Sequence, residues 1–390
     1  MLARGGIETS GRSPSDGALV SRGENFHHSN AYPVVDLFAG PGGLGEGFAS
    51  TLDEKGRHRF RSTVSIERDK FSHRTLLLRH FIRHFPDGEA PDDYYEFLAG
   101  RITDTELFNR HPAAHLEAQQ SALRISLGAD SHVLVLWALV GGPPCQAYSL
   151  AGRSRMKGVP DFEQDEKHTL YLEYLRIIAD HRPPIFVMEN VKGLLSATIE
   201  GKSAINRIVR DLKQPATAIA GAPVDLAYRL YSLTEEEMAE GEVDPRLFLV
   251  RAEDHGIPQA RHRMFIVGIR SDLKVRPYTL RKMTAPTVRD TIGSLPAIRS
   301  GLSKEKDSSD AWLSAIRHIS SMNIRRHLNG AAYAGPVARE LEFDKLIEMH
   351  SPHSTSSSRY VARRPNHDVL RSLYDERLPV LTAHDSRSHM

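Results

Sequence analysis

A chain of 390 residues, 40% hydrophobic and 26% charged, is long enough for one large domain or two smaller ones and has the composition of an ordinary globular protein. Its 51 Lys and Arg against 49 Asp and Glu leave a formal net charge of +2, too small to announce nucleic-acid binding without local clusters. The single cysteine excludes an intramolecular disulfide, and no run approaches the about 18 apolar residues of a membrane helix; a soluble protein of a reducing, cytoplasmic compartment is expected.

Residues 1–30 are rich in Gly, Ser and Arg, lack the apolar run of a signal peptide, and read as a mobile leader. The first strong strand is Tyr32–Phe38 (YPVVDLF), followed at once by the glycine-rich turn AGPGGLGEGF and a helical spacing through Leu44, Phe48 and Leu52. A second strand is expected at Phe60–Ile66, ending on Glu67, and a helix over Lys70–Phe85 with Leu76, Leu77 and Ile82 on its apolar side. Residues 86–128 fit neither period. Val133–Val140 (VLVLWALV) is a continuous apolar run of the kind found in buried parallel strands, and it ends in GGPPCQ. Glu166–Asp180 reads as an amphipathic helix stopped by Pro183-Pro184, and Ile185–Met188 as a strand ending at Glu189. Tyr228–Leu233 and Met264–Ile269 are further strand candidates. Beyond about residue 271 the pattern weakens: 300–310 is polar and loop-like, and 351–367 is rich in Ser, Arg and His. Strands alternating with helices imply a mainly parallel sheet covered on both faces, and the suggestive segments follow strand ends, where such sheets bind ligands.

Four segments carry chemistry. In Asp36–Gly45 the glycines let the backbone approach a ligand and open the next helix, although a tight turn without a ligand has the same look. No Lys-Ser/Thr pair follows, which argues against a phosphate-cradling loop. Glu67 stands where an acid could hold ribose hydroxyls, or is an ordinary surface carboxylate. In Gly141–Ser149 (GGPPCQAYS) two prolines stiffen the chain just before Cys145, which suits a pre-positioned nucleophile; the alternative is a structural turn with an incidental thiol. In Met188–Val191 (MENV), Glu189 is a candidate proton donor or acceptor, or a helix cap. In Gln259–Arg263 (QARHR), alternation puts Gln259, Arg261 and Arg263 on one face, suited to a phosphate or carboxylate, or forming a solvated basic edge. The 20 His bring no HExxH and the lone Cys no pair, so no metal is expected.

None of these segments decides the matter alone; their order does. From about residue 32 to 296 the chain resembles the DNA (cytosine-5) methyltransferase family: DLFAGPGGLGEGF is similar to its cofactor motif, Glu67 to its ribose acid, GGPPCQAYS to its Pro-Cys nucleophile motif, ENV to its acid motif and QARHR to its Gln-x-Arg-x-Arg motif. The resemblance implies an α/β, Rossmann-like methyltransferase fold that takes its methyl group from S-adenosylmethionine. The implied division is a leader over 1–30, a catalytic domain over 31–300 and the start of a target-recognition region over 301–390.

It further implies Cys145 as nucleophile toward C6 of a flipped-out cytosine, Glu189 holding N3 and the exocyclic amine, Arg261 and Arg263 orienting the base, and Asn190 fixing the Glu189 loop. Asp36, Phe38, Ala39, Gly40, Gly42, Gly43, Leu44, Glu67 and Pro143 would form the cofactor site, with Phe38 on the adenine. Gln146, Ser149, Arg153, Arg155, Lys157 and Gln259 would meet double-stranded DNA, the three basic residues lying on a loop, 147–165, that closes over it. The family's third motif usually has an acid after a glycine; the best match is Gly100-Arg101, with Arg in the acid's place.

The final family motif, of Gly-Asn-x-x-Pro type, has no match in 271–390, so a truncated chain or a segment supplied by a second polypeptide is expected. Ile324–His327 (IRRH) and Arg359–Arg364 would then begin DNA recognition. Members of this kind usually mark host DNA in restriction or phage defence. The rival functions are a tRNA cytosine methyltransferase, sharing the same catalytic residues, and a catalytically silent DNA-binding relative. A nicotinamide-dependent oxidoreductase would explain the glycine-rich turn but not PPCQ, ENV or QARHR.

Overall fold

In the computed structural model the described residues are 31–124, 138–144, 166–199, 201–235, 244–293, 295, 298–302, 306–321, 375 and 377–378. Strand β1 (Tyr32–Leu37) is apolar on both sides, with Val34 and Val140 in one core cluster and Val35 and Leu37 in another, so it is driven to the middle of a sheet. Around it lie β2 (Phe60–Ile66), β3 (Ala122–Leu123), β4 (Ala138–Gly141), β5 (Ile185–Val191), β8 (Tyr228–Tyr231), β9 (Leu249–Arg251) and β10 (His262–Arg270). A separate two-stranded ribbon joins β6 (Thr198–Ile199) to β7 (Lys202–Ser203).

The order across the main sheet is β3-β2-β1-β4-β5-β10-β8, with β9 also paired to β10. The first five strands are parallel; β10 runs antiparallel to both β5 and β8. The chain starts at β1, builds outward to β3, then crosses over to β4 and builds the other way. That reversal opens a crevice at the carboxyl ends of β1 and β4, the place where open α/β sheets take their ligands. The expected Rossmann-like sheet is thus present, mixed at one end by β10.

One face of the sheet is covered by α6 (Glu166–His181) and α7 (Ala204–Lys213). Tyr174, Leu175 and Ile178 from the first, and Ile205, Ile208, Val209 and Leu212 from the second, bury against Val35, Leu37, Leu139 and Phe186. The spacing in α7 puts its apolar residues on one stripe, and Ser203 caps its first turn. The other face receives Leu44 and Phe48 of α1 (Gly43–Ala49), packed with Val34, Val140, Val187 and Val267.

The stretch that fitted neither period contains three short helices, α3 (Asp92–Leu98), α4 (Asp104–Arg110) and α5 (Pro112–Ser121). They pack with α2 (Lys70–Ile82) around Phe81, Leu107, Phe108, Ala114 and Ala118. Helices of only seven to ten residues carry little periodic signal; the local mark is the capping box between Thr103 and Glu106. The strand beside β2 is Ala122–Leu123, whereas Gly100-Arg101, the best match to the family's third motif, lies in the turn after α3 with Arg101 paired to Glu96. Two expectations change here. Glu189 lies inside β5 rather than at its end, opposite Phe265. Gln259 and Arg261 precede β10 in a bend, so strict alternation begins only at His262. Of the run Val133–Val140, residues 138–140 fall in β4 and the rest lie outside the described residues.

Gly268 of β10 sits directly opposite Phe186 of β5, and the Phe186 ring lies across it: a Cβ there would be 2.1 Å from two ring carbons. Gly268→Ala is therefore expected to lower unfolding free energy by about 1–3 kcal/mol through overpacking, read as a fall in the denaturant midpoint at constant slope. An unchanged midpoint would mean that the ring is free to move aside.

Candidate active site

The glycine-rich turn leaves β1 through two residues in left-handed backbone, Phe38 at φ 57° and Gly40 at φ 57°, and reaches α1 through Gly42 at φ 89°. Phe38 pays the strain that a side chain incurs there, as residues at functional turns often do. Gly42 could not be replaced without collision, since a Cβ would stand 2.8 Å from Leu76. Ala39 is buried and Gly43 opens the helix. Around Gly40 there is open space for an added atom, and its N–H donates to Glu67 Oε2 at 2.7 Å. The other Glu67 oxygen accepts the Asp69 N–H at 2.7 Å.

Asp36 is fully buried beneath this turn. Its Oδ2 accepts the Gly45 N–H at 3.0 Å, whereas Oδ1 has no hydrogen-bond partner among the described residues. Burial pushes the carboxyl up to about 7, the Gly45 hydrogen bond and the Arg83 charge opposing it. Nearby, buried His80 lies 2.9 Å from Ser65 Oγ and is pushed down to about 3 by desolvation and by Arg83, while Arg83 and Arg79 both reach Glu46 of α1. Sequence reading missed this polar layer: His80 was one of several basic residues on α2, and nothing local marked it as buried.

On the β4–β5 side the chain is brought close by two glycines. A Cβ on Gly141 would be 2.7 Å from the Leu37 carbonyl oxygen and 3.0 Å from the Tyr174 ring; one on Gly142 would be 3.0 Å from Glu189 Oε2. Asn190, buried on β5, donates from Nδ2 to the Pro143 carbonyl at 3.3 Å and accepts the Val191 N–H at 2.8 Å. It therefore ties the acid-bearing strand to the Gly-Gly-Pro-Pro segment. Glu189 Oε1 meets Arg263 Nε at 2.9 Å, leaving Oε2 turned toward Gly142. Burial raises the Glu189 pKa above the usual carboxylate range, against the pull of Arg263 and then Arg261.

The structure thus gathers Asp36, Phe38, Gly40, Glu67, Pro143, Glu189, Asn190 and Arg263 on the turns and strands around the β1–β4 crevice. Leu44 turns its side chain into the core under α1. Arg261 and Gln259 are exposed in the bend ahead of β10. Cys145, Gln146, Ser149, Arg153, Arg155 and Lys157 lie outside the described residues, as do Ile324–His327 and Arg359–Arg364. Among the described residues no cluster of His, Cys, Asp or Glu could hold a metal, and no helix is long and apolar enough to cross a membrane.

An open sheet that reverses beside a glycine-rich turn, with a strand-end acid next to that turn and a partly buried Glu-Arg pair beside it, defines the Rossmann-like class of fold. The family model described as C-5 cytosine-specific DNA methylase matches residues 135–216 and 234–371, more than half of the chain, and the protein belongs to that family. It is 28% identical over 305 residues to the Type II methyltransferase M.Bpa9945I of Bacillus paralicheniformis, covering 68% of this chain and 61% of that one. To the DNA-cytosine methyltransferase of Escherichia coli K12 it is 30% identical over 287 residues, 71% of this chain and 51% of the other. To the Type II methyltransferase M.AquIA of a Picosynechococcus strain it is 32% identical over 239 residues, 61% and 71% respectively. The chain therefore spans 61% and 51% of the length of the first two of these relatives.

Two titrations check the electrostatics. Because Asp36 holds its proton to about pH 7 when folded but releases it near 3.8 when unfolded, the folded state binds more protons between those values. Stability should then fall as pH rises through that window, by at most about 4 kcal/mol, and level off above it. Asp36→Asn should remove that slope in urea titrations at a series of pH values; a slope retained in the variant would place its origin elsewhere. Arg263→Gln withdraws the nearest opposing charge from Glu189, so the Glu189 carboxyl should titrate at still higher pH by carbon-13 NMR, and a downward move would contradict the ion pair.

Proposed function

We propose that the chain transfers a methyl group from S-adenosylmethionine to C5 of a flipped-out cytosine in double-stranded DNA, with Cys145 as covalent nucleophile. The observation that carries this reading is the meeting of Glu189, Asn190 and Arg263 at the Gly141–Pro144 segment that leads into Cys145. Family membership supports the reaction class.

The cofactor fits the residues present. Glu67 accepts one backbone N–H on each oxygen, and each oxygen keeps a second lone pair for a ribose hydroxyl. Gly40 leaves room for the ligand to approach, and half-buried Phe38 rests against the core with part of its ring free to stack on adenine. Asp36, Ala39, Gly42 and Gly43 shape that turn, and Pro143 closes it from the β4 side. When bound, S-adenosylmethionine supplies an electrophilic methyl group.

Cytosine C5 is a poor nucleophile until C6 is attacked. The Cys145 thiolate adds to C6, the ring electrons move toward N3, and N3 takes a proton from Glu189. Glu189 suits this role because burial raises its pKa and so favours the protonated carboxyl, while its Oε2 faces the nucleophile's segment and Oε1 is held by Arg263. C5, now enamine-like, would take the methyl group that the cofactor supplies; loss of the C5 proton re-forms the C5–C6 double bond and expels the thiolate, and N3 gives its proton back to Glu189. Asn190 keeps Pro143, and so the approach to Cys145, in register with Glu189. Arg261 and Gln259, exposed beside Arg263, would orient the base and its neighbours. Gln146, Ser149, Arg153, Arg155 and Lys157 would hold DNA from the loop that follows Cys145, phosphate contacts giving affinity without sequence information. The biological setting this reading implies is the marking of host DNA in a restriction or phage-defence system.

Transfer of a labelled methyl group to cytosine-containing duplex DNA tests the reading, with tRNA as competitor. Incorporation at C5 of DNA is expected, insensitive to tRNA; none from a folded chain, or preferential labelling of tRNA, would overturn it. Cys145→Ala should abolish transfer while S-adenosylmethionine binding persists by calorimetry; loss of both would make Cys145 structural. Glu189→Gln should slow single-turnover transfer by about 10²–10⁴-fold, and an unchanged rate would remove Glu189 from the chemistry.

A further inference from the structure

After β10 the chain runs from Leu273 to Lys282 without helix or strand along the free edge of β8. Arg229 donates to the Leu273 carbonyl, the Tyr231 hydroxyl to the Val275 carbonyl at 3.5 Å, and the Leu280 N–H to the Leu233 carbonyl at 2.7 Å. At its far end the Met283 N–H donates to the Asp254 carbonyl at 3.0 Å, one turn from Ala252, whose N–H donates to the Arg261 carbonyl at 3.0 Å. The stretch therefore starts at the end of the sheet opposite the candidate site and finishes beside the bend that carries Arg261.

Its charge is segregated. Residues 273–283 include Lys274, Arg276, Arg281 and Lys282 and no carboxylate, in a chain whose 51 cations and 49 anions nearly balance. All four are exposed and none forms an ion pair among the described residues, so the strip carries its positive charge uncompensated. Arg229, Lys274 and Arg276, with Tyr231 and Val275, line an open pocket of about 290 Å³. Tyr278 is 96% exposed in the same stretch. Leaving four cations unpaired beside an aromatic ring has no return in folding stability; it fits a polyanion that approaches from outside.

We propose that this edge strip is a second DNA-contacting surface, holding backbone phosphates of the duplex that extends from the candidate active site, without reading sequence. The proposal rests on the DNA-substrate reading above. A duplex is favoured over an acidic protein partner because the strip leads to the Arg261 bend, so DNA engaged there has a continuous basic path along the β8 edge.

The test is the salt dependence of binding of the full chain to a random-sequence duplex, followed by fluorescence anisotropy. Replacing Lys274, Arg276, Arg281 and Lys282 by Ala should weaken binding at low salt by about tenfold or more and make the slope of log K against log salt shallower by about three to four. The double variants K274A/R276A and R281A/K282A should each lose about half of that change, which keeps the test available should the quadruple variant not fold. Exchanging Lys for Arg and Arg for Lys at the four positions should leave the slope as in the parent chain. Methyl transfer at saturating DNA should keep its rate in all of them. An unchanged slope in the Ala variants would overturn the strip, whatever the methyl-transfer result; a shifted slope in a chain that transfers no methyl group would keep the strip and remove the catalytic reading.

Discussion

The carboxyl ends of β1 and β4 can approach as they do only because Gly141 has no side chain, its position for a Cβ lying 2.7 Å from the Leu37 carbonyl oxygen. That approach sets the width of the crevice. On its β1 side the backbone turns through left-handed Phe38 and Gly40 toward α1; on its β4 side Gly142 gives Glu189 the space to turn one oxygen toward the Pro-Pro segment. Tyr174 packs against the same glycine and donates its hydroxyl to the Val187 carbonyl, so the helix layer beneath the sheet is keyed to the same point. A wider spacing would detach the glycine-rich turn from the acid.

The antiparallel strand matters for a related reason. A parallel strand next to β5 would begin at the far end of the sheet. Because β10 runs the other way, its first residues lie at the crevice, and Arg263 pairs across from Val191 with its guanidinium on Glu189. The same reversal carries the chain away from the site along β10 and back along the β8 edge, which ends beside the Arg261 bend. Covering that edge with a basic, proline-containing stretch also discourages strand addition by another chain.

Two carboxyls in this region are pushed up by burial and differ in what they can do. Asp36 is sealed under α1, holds the Gly45 N–H and has no route to a substrate, so its charge state bears on folding and on the set of the glycine-rich turn. Glu189 is only partly buried and keeps one oxygen open toward the segment before Cys145. The same desolvation thus raises both acids, and exposure separates them.

Local pattern was enough for the first two strands and for the order of the chemical segments. Tyr32–Leu37 and Phe60–Ile66 stand where strands were expected, and DLFAGPGG, GGPPC, ENV and QARHR in that order already implied the family to which the chain belongs. The short helices between residues 92 and 121 were not legible, since elements of seven to ten residues span too few turns to show a period. Nor could the sequence say that Glu189 lies within β5, that Asn190 binds the Pro143 carbonyl, that His80 is buried against Ser65, or that Arg263 and not Arg261 takes the acid. Those facts are set by strand register and by packing between residues far apart in the chain. Periodicity and turn chemistry act over a few residues and determine elements; close approach of backbones, desolvation and pairing register act between elements, and only the folded structure decides them.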